Sequence, residues 1–146
     1  MRYDITTIKI KLKIADSGQR NKVGTSTDAY GIAKPIFADM DADQEHMIIL
    51  ALDNSGRITG YKHIHSGGTN DAIVDAKIVF RSALLLGATK IIFAHNHPSG
   101  NACPSPEDIS LTMRMVECGK LLQIEVLDHL VLGNEHYSSM ADSRIL

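Results

Sequence analysis

The sequence predicts a single α/β domain with one mixed β-sheet and flanking helices. Segments with strand-like and helix-like periodicity are mixed along the 146 residues, and no internal repeat separates them. A chain of this length can bury roughly 70% of the surface that its unfolded form exposes, so its core does not depend on disulfides. An α+β arrangement of the same elements stays open at this point.

The N-terminal part of the chain predicts a strand, a loop and an interrupted helix. In residues 7–15 apolar and charged side chains alternate with a period of two, which is typical of an amphipathic strand. The polar segment 16–24 predicts a loop. Residues 25–40 begin with side chains that cap helices well, but Gly31 and Pro35 interrupt the pattern and indicate a broken helix.

A β-hairpin and a helix are predicted next. Residues 45–53 form an apolar strand that ends in the Asn-Ser-Gly turn 54–56, and residues 58–68 return as the partner strand. In residues 71–88 apolar side chains recur at intervals of three and four. This spacing predicts a helix that ends near Gly87.

The C-terminal part predicts an interior strand, a second helix and a further strand. Residues 91–94 are wholly apolar, as expected of a strand that is buried on both faces. Residues 105–122 predict a helix, and residues 124–133 predict a strand that is followed by an edge or tail. One face of this second helix is predicted to carry Ile109, Met113, Val116 and Lys120.

The composition is that of a globular protein without a strongly charged partner. Hydrophobic residues make up 44% of the chain, the formal net charge is −2, and the pI is about 6.4, so nucleic acid is not the expected partner. Cys103 and Cys118 lack a paired spacing, which indicates free thiols in a reducing compartment. Neither a secretory signal nor an apolar run of about 20 residues is present, so we expect a cytoplasmic protein without a membrane anchor.

Two histidines at the end of the predicted interior strand form a candidate metal site. His95 and His97 are two residues apart, so both imidazoles face one side if the strand persists, and Pro98 favours extended geometry at His97. Asp108 follows after a short turn-rich loop. Two imidazoles and one carboxylate suit Zn²⁺ and leave a fourth position for water, as in catalytic zinc sites.

A purely structural role for part of this segment is also open. In the sequence Ser105-Pro106-Glu107-Asp108, the serine can cap a helix, the proline suits the first helical position, and Asp108 can complete a capping box. The two interpretations are compatible, because a well-capped first turn is a rigid support for a metal ligand.

The remaining histidines are expected to be structural. His63 and His65 repeat the same two-residue spacing, but no buried strand leads into them, and we predict an exposed strand face there. His46, His129 and His136 are single, and a supporting role for Asp128-His129 near the metal site is left unassigned.

The spacing of the candidate ligands resembles a known motif. His95 and His97, seven residues, Ser105, two residues and Asp108 match the JAMM motif, also called MPN+ or JAB. The segments HNHPSG, PSPEDI and LLQIEVLDHLVLG resemble the RadC branch of that superfamily, over approximately residues 26–140. The resemblance implies a cytidine-deaminase-like JAB/MPN fold for residues 26–146. Residues 1–25 would then be a strand-and-loop extension, without the helix-hairpin-helix module of many RadC proteins.

The resemblance also implies the residues of a site. Zn²⁺ would be bound by His95, His97 and Asp108, while Glu45 would serve as the general base and acid. Ser105 would stabilise the developing oxyanion, unless capping occupies its hydroxyl group. The chain departs from similar proteins at Cys103, whose thiol is a further candidate for the fourth ligand position.

The function that the resemblance implies is zinc-dependent hydrolysis of a peptide or isopeptide amide in a peptide or protein substrate. A DNA-repair-associated protein, or a scaffold that keeps the metal site without peptidase activity, is the alternative. The charge balance gives little support to nucleic-acid binding, and the oligomeric state is left open.

Overall fold

A computed structural model of the chain describes residues 6–9, 21–67 and 74–146. These residues form one five-stranded sheet and three α-helices, which confirms the predicted α/β class with a single mixed sheet. The elements in chain order are α1 (Ser26–Ala38), β1 (His46–Leu52), β2 (Ile58–Ser66), α2 (Ala76–Leu85), β3 (Lys90–Asn96), α3 (Pro106–Leu122), β4 (Glu125–Leu132) and β5 (Tyr137–Ser139).

The strand order in the sheet is β2-β1-β3-β4-β5. Only β3 and β4 are parallel, and α3 is the crossover between them, while the other neighbouring strands are antiparallel. β1 and β2 form the predicted hairpin, and Gly56 in its turn has a φ of +80°, which glycine adopts without strain. Near the C-terminus, Tyr137–Ser139 form β5, a three-residue strand at the sheet edge.

Both faces of the central strands are covered by helices. All seven residues of β1 are buried, and the six that follow His46 alternate between two hydrophobic clusters. One cluster joins β1 and β3 to α2 and α3, and the other joins them to α1. The helix residues fully or almost fully buried in these clusters are Val79, Phe80, Ala83 and Met115 on one face, and Ala29 and Ala33 on the other.

The prediction of a broken first helix is wrong, because α1 is continuous from Ser26 to Ala38. Thr25 and Asp28 form a capping box at its start, and Ala29 and Ala33 are fully buried against the sheet. Pro35 lies in the last turn, so it removes one hydrogen bond near an end where the helix terminates anyway. Burial of Ala29 and Ala33 against the sheet therefore outweighs the helix-breaking tendency of Gly31 and Pro35.

The second helix is shorter than predicted. α2 begins after Asp75, whose side chain accepts a hydrogen bond from the Lys77 N–H, and residues 71–73 of the prediction lie outside the described residues. The helix stops near Gly87 as expected, since this glycine has a φ of +66°. Most of the strand predicted at 7–15 and of the loop at 16–24 also lies outside the described part of the chain.

The predicted face of the third helix is wrong by one residue. α3 packs on the sheet through Asp108, Thr112, Met115 and Gly119, whereas Met113 and Lys120 are exposed. The error arose because Asp108 and Thr112 are polar, and counting apolar residues selects the neighbouring stripe. Two buried polar side chains on the inner face of a helix point to a site beneath it.

Among the described residues, no helix is long and apolar enough to cross a membrane.

Candidate metal centre

The site lies at the C-terminal end of β3, where three elements meet. β3 extends two residues beyond its predicted end, which keeps His95 in the sheet and places His97 immediately after it. β1 is antiparallel to β3 and pairs Met47 with His95, so the residues just before β1 lie beside the end of β3. α3 starts above this edge and brings Asp108 back towards the two histidines.

Four side chains predicted from the sequence converge at this edge. Metal-ligating atoms of Glu45, His95, His97 and Asp108 all lie within 4.8 Å of one another. His95 Nε2 is 2.9 Å from His97 Nε2, and Asp108 Oδ2 is 3.3 Å and 3.2 Å from these two atoms. Glu45 Oε1 is 3.8 Å from His95 Nε2.

These distances fit the edges of a coordination tetrahedron. Zinc bonds of about 2.0–2.2 Å place two tetrahedral ligands roughly 3.3–3.6 Å apart. The two Asp108–histidine distances, 3.3 Å and 3.2 Å, lie at or just below the lower limit of that range, and the histidine–histidine distance of 2.9 Å is shorter. The three atoms therefore surround a position that one small cation can occupy, and nitrogen and carboxylate donors together suit a borderline metal.

The site is buried at its base and open at Glu45. The His95 side chain is 0% exposed and that of Asp108 11%, whereas that of Glu45 is 39% exposed. The His97 side chain is 19% exposed, so Glu45 is the most exposed member of the cluster and the one most accessible to a substrate.

Asp108 is held as a carboxylate. Burial by itself raises the pKa of Asp108, but hydrogen bonding and charge from His95, together with hydrogen bonds from Ser105, outweigh it. The pKa of Asp108 therefore lies well below its usual range. A permanently ionised side chain is the form that binds a cation.

The second nitrogen of each histidine ligand has a partner. His97 Nδ1 is 2.7 Å from the carbonyl oxygen of Asn101. Because a carbonyl only accepts, Nδ1 carries a proton, so in the neutral imidazole the lone pair of His97 is on Nε2, which faces the cluster. His95 Nδ1 is 2.7 Å from Nε2 of His129, which is fully buried. Burial first, and then the charge of His95, lower the pKa of His129 well below its usual value.

Ser105 is both the predicted helix cap and a neighbour of the cluster. Its Oγ accepts a hydrogen bond from the Asp108 N–H at 3.0 Å, and its own N–H donates to Asp108 Oδ2 at 2.8 Å. The capping box is thus confirmed. Within the described part of the chain the Ser105 hydroxyl hydrogen has no acceptor, so capping leaves this donor free.

Asn96 holds the segment that carries Glu45. Its Oδ1 accepts from the His46 N–H at 2.7 Å, and its Nδ2 donates to the Gln44 carbonyl at 2.9 Å. The two bonds bracket Glu45 on both sides. The residue between the two histidine ligands therefore connects them to the proposed base, and sequence spacing could not reveal this contact across 50 residues.

The other candidates from the sequence lie outside the cluster. Cys103 is exposed, and its thiol is 3.8 Å from the Pro104 carbonyl, so its proposed role as a fourth ligand is not supported. His63 is exposed on β2 as predicted and approaches His46 Nδ1 at 3.3 Å. Glu45, His95, His97 and Asp108 are the one set of three or more metal-ligating side chains that converges in the described ranges.

The fold and the site define an α/β domain with a candidate metal centre at the edge of its sheet. A sequence model of the RadC-like JAB domain matches residues 23–145, and the chain belongs to this family.

Curated relatives support the assignment. The chain is 38% identical to a UPF0758 protein of Enterococcus faecalis, over 92% of this chain and 58% of the relative. It is 38% identical to a UPF0758 protein of Roseiflexus castenholzii, over 90% and 56%, and 42% identical to one of Clostridium perfringens, over 70% and 45%. The chain thus spans about half the length of these relatives.

Proposed function

We propose that this protein is a zinc-dependent hydrolase that cleaves a peptide or isopeptide bond in a peptide or protein substrate. The observation that supports the proposal is the convergence of His95, His97 and Asp108 with one solvent-accessible carboxylate, Glu45, within 4.8 Å. Three protein ligands with one open position are the arrangement of catalytic zinc sites. Membership of the JAB family agrees with this chemistry.

The ligands have the protonation states that zinc binding requires. Asp108 is ionised, and the Nδ1–H of His97 is used by the Asn101 carbonyl, so that Nε2 is the nitrogen available to a metal. Zinc, when bound here, would lower the pKa of a coordinated water towards neutrality and polarise the carbonyl of the scissile bond.

Glu45 is the candidate general base and acid. Its Oε1 is 3.8 Å from His95 Nε2, and its side chain is partly exposed. Asn96 holds the backbone on both sides of Glu45. Glu45 would accept a proton from the attacking water and return it to the leaving amine. Both transfers need a carboxylate within one hydrogen bond of the reacting atoms, and the open side of the cluster provides that position.

Ser105 is the candidate donor to the developing oxyanion. Its Oγ is fixed by the helix cap, because it accepts from the Asp108 N–H, yet its hydrogen stays available. A preorganised donor of this kind stabilises negative charge on the carbonyl oxygen without reorganisation during the reaction.

Metal content and turnover together test the proposal. The protein is purified without chelators and its metal is measured by mass spectrometry, while turnover is followed with a fluorogenic peptide library and an isopeptide-linked peptide. Wild type should hold about one zinc per chain. His97→Ala should lose most of the metal, and Glu45→Gln should keep the metal but lose turnover.

His136→Ala is the matched control, because His136 is exposed and lies outside the cluster. It should behave as wild type in both measurements. A wild-type protein that binds no zinc would refute the proposal. A zinc-bound protein with no turnover on either substrate class would favour the scaffold alternative.

A further inference from the structure

A chain of buried hydrogen bonds connects the candidate ligand His95 to the backbone of the candidate ligand Asp108. The two residues between them, His129 and Thr112, are not metal ligands themselves. His95 Nδ1 is 2.7 Å from His129 Nε2, and His129 Nδ1 is 2.5 Å from Thr112 Oγ1. Thr112 Oγ1 donates to the backbone carbonyl of Asp108 at 2.7 Å. His95, His129 and Thr112 are all 0% exposed, so no water competes for these bonds.

The direction of every bond in this chain follows from its last member. A backbone carbonyl only accepts hydrogen bonds, so the single hydroxyl hydrogen of Thr112 must point at the Asp108 oxygen. Thr112 Oγ1 can then only accept from His129. His129 Nδ1 must therefore carry a proton.

The proton between the two imidazoles is assigned by burial. A second proton on His129 would place a cation, without a carboxylate partner, in a fully buried position beside His95. His129 is therefore neutral, and its Nε2 carries a lone pair. The hydrogen in the 2.7 Å contact then belongs to His95 Nδ1, and His95 Nε2 is the nitrogen that faces His97 and Asp108.

We propose that His129 and Thr112 are positioning residues that hold His95 in the tautomer whose Nε2 can bind a metal ion. The inference rests on the proposed metal site for its purpose, but the hydrogen bond between His95 Nδ1 and His129 is formed by the fold alone. The ring of His97 is oriented by a different hydrogen bond, from its Nδ1 to the Asn101 carbonyl oxygen. The two histidine ligands are thus oriented independently, and a change at Thr112 should affect only one of them.

Thr112→Val tests the proposal, because it removes the hydroxyl group at nearly constant volume. His129 is then free to move its proton to Nε2 and donate to His95, which forces a proton onto the wrong nitrogen of His95. We expect the Kd for zinc to rise by about 10–100-fold, the usual effect of losing an outer hydrogen bond of a metal ligand. Thr112→Ser keeps the hydroxyl group and should bind zinc as wild type does.

Ser82→Ala is the matched control elsewhere in the fold. Ser82 is also buried within a helix and donates to the carbonyl four residues earlier, Ile78, at 2.8 Å, but it lies on α2 away from the cluster. Its removal should leave the zinc Kd unchanged while it perturbs the helix in a similar way. Zinc affinity is measured by competition with a chelator of known affinity.

Long-range ¹H–¹⁵N NMR of the histidine rings in the metal-free protein provides a second readout. In wild type, His95 should carry a proton on Nδ1. In Thr112→Val, His95 should lose the proton on Nδ1, while the protonation of His97 should not change.

Two results would overturn the inference. One is a wild-type His95 without a proton on Nδ1, and this result needs no variant to fold. The other is a Thr112→Val protein with wild-type zinc affinity and tautomers. A wild type with the expected tautomer but no zinc binding would instead refute the proposed function and leave the hydrogen-bond chain intact.

Discussion

At the scale of single residues, the same side chains stabilise the fold and build the site. Asp108 accepts from the Ser105 N–H as half of a capping box, and the same Oδ2 atom faces His95 and His97. Ser105 Oγ accepts in the cap and still has a hydrogen to donate. A helix cap uses an acceptor, whereas oxyanion stabilisation uses a donor, so the two roles do not compete.

The two roles of Ser105 can be separated by substitution. Ser105→Ala removes the cap and the hydroxyl group, and should lower the free energy of unfolding by about 0.5–2 kcal/mol, whereas Ser105→Gly should cost only a few tenths. Both variants lack the donor, so both should lose turnover by about 10²–10³-fold if Ser105 stabilises the oxyanion. Urea denaturation and turnover measured on the same preparations decide the matter. A Ser105→Gly protein with wild-type turnover would exclude the oxyanion role.

At the scale of elements, α3 is positioned by contacts at both of its ends. Its first turn carries Asp108, its middle carries Thr112, and near its end Gly119 passes directly over the chain that leads into β4. A Cβ atom on Gly119 would overlap the backbone oxygen of Ile124. This close approach sets how α3 lies on the sheet, and with it the position of the ligand at its start.

Gly119→Ala should therefore destabilise the protein although alanine favours helices. The backbone oxygen cannot rotate away as a side chain could, and overpacking of this kind costs about 1–3 kcal/mol. Gly31→Ala is the matched control in α1, since its Cβ would meet nothing within 4 Å and should stabilise the protein by about 0.5–1 kcal/mol. Chemical denaturation measures both. Equal effects of the two substitutions would contradict the steric argument.

At the scale of the whole molecule, the cluster connects elements that are far apart in sequence. Glu45 precedes β1, His95 lies near the end of β3 with His97 just after it, and Asp108 lies in the first turn of α3. A ligand that binds this arrangement binds only the folded chain, because the unfolded chain does not hold the four side chains together. Metal binding and global stability are therefore coupled.

Addition of zinc should raise the Tm of the metal-free protein, and a chelator should reverse the rise. Free zinc at 100 times its Kd contributes about 2.7 kcal/mol to stability. The expected shift is measured by thermal denaturation of chelator-treated wild type with and without zinc. His97→Ala should show a much smaller shift. A zinc-dependent Tm that persists unchanged in His97→Ala would place the stabilising metal elsewhere.

Much of the fold was predictable because it depends on local patterns. The apolar segments 45–53 and 91–94 became the two central strands, and the turn at Gly56 and the stop at Gly87 lie where the sequence places them. The two-residue spacing of His95 and His97 places both imidazoles on one face of a strand, and the Ser105–Asp108 spacing predicts the cap. Each of these features depends on residues close together in the chain.

The remaining features depend on contacts that no local pattern encodes. The continuity of α1 through Pro35 depends on burial of the helix against the sheet. The inner face of α3 is partly polar because Thr112 forms a hydrogen bond with the buried His129. Glu45 comes near His95 only through antiparallel pairing of β1 with β3.

The amino-acid sequence by itself thus determined the class of fold, the family motif and the candidate ligands. Only the tertiary structure decided which nitrogen of His95 faces the site. The hydrogen bonds that decide it run from Thr112 on α3 through His129 on β4 to His95 on β3. The physical reason is that a tautomer is set by its hydrogen-bond partners, and these partners are neighbours in space rather than in the chain.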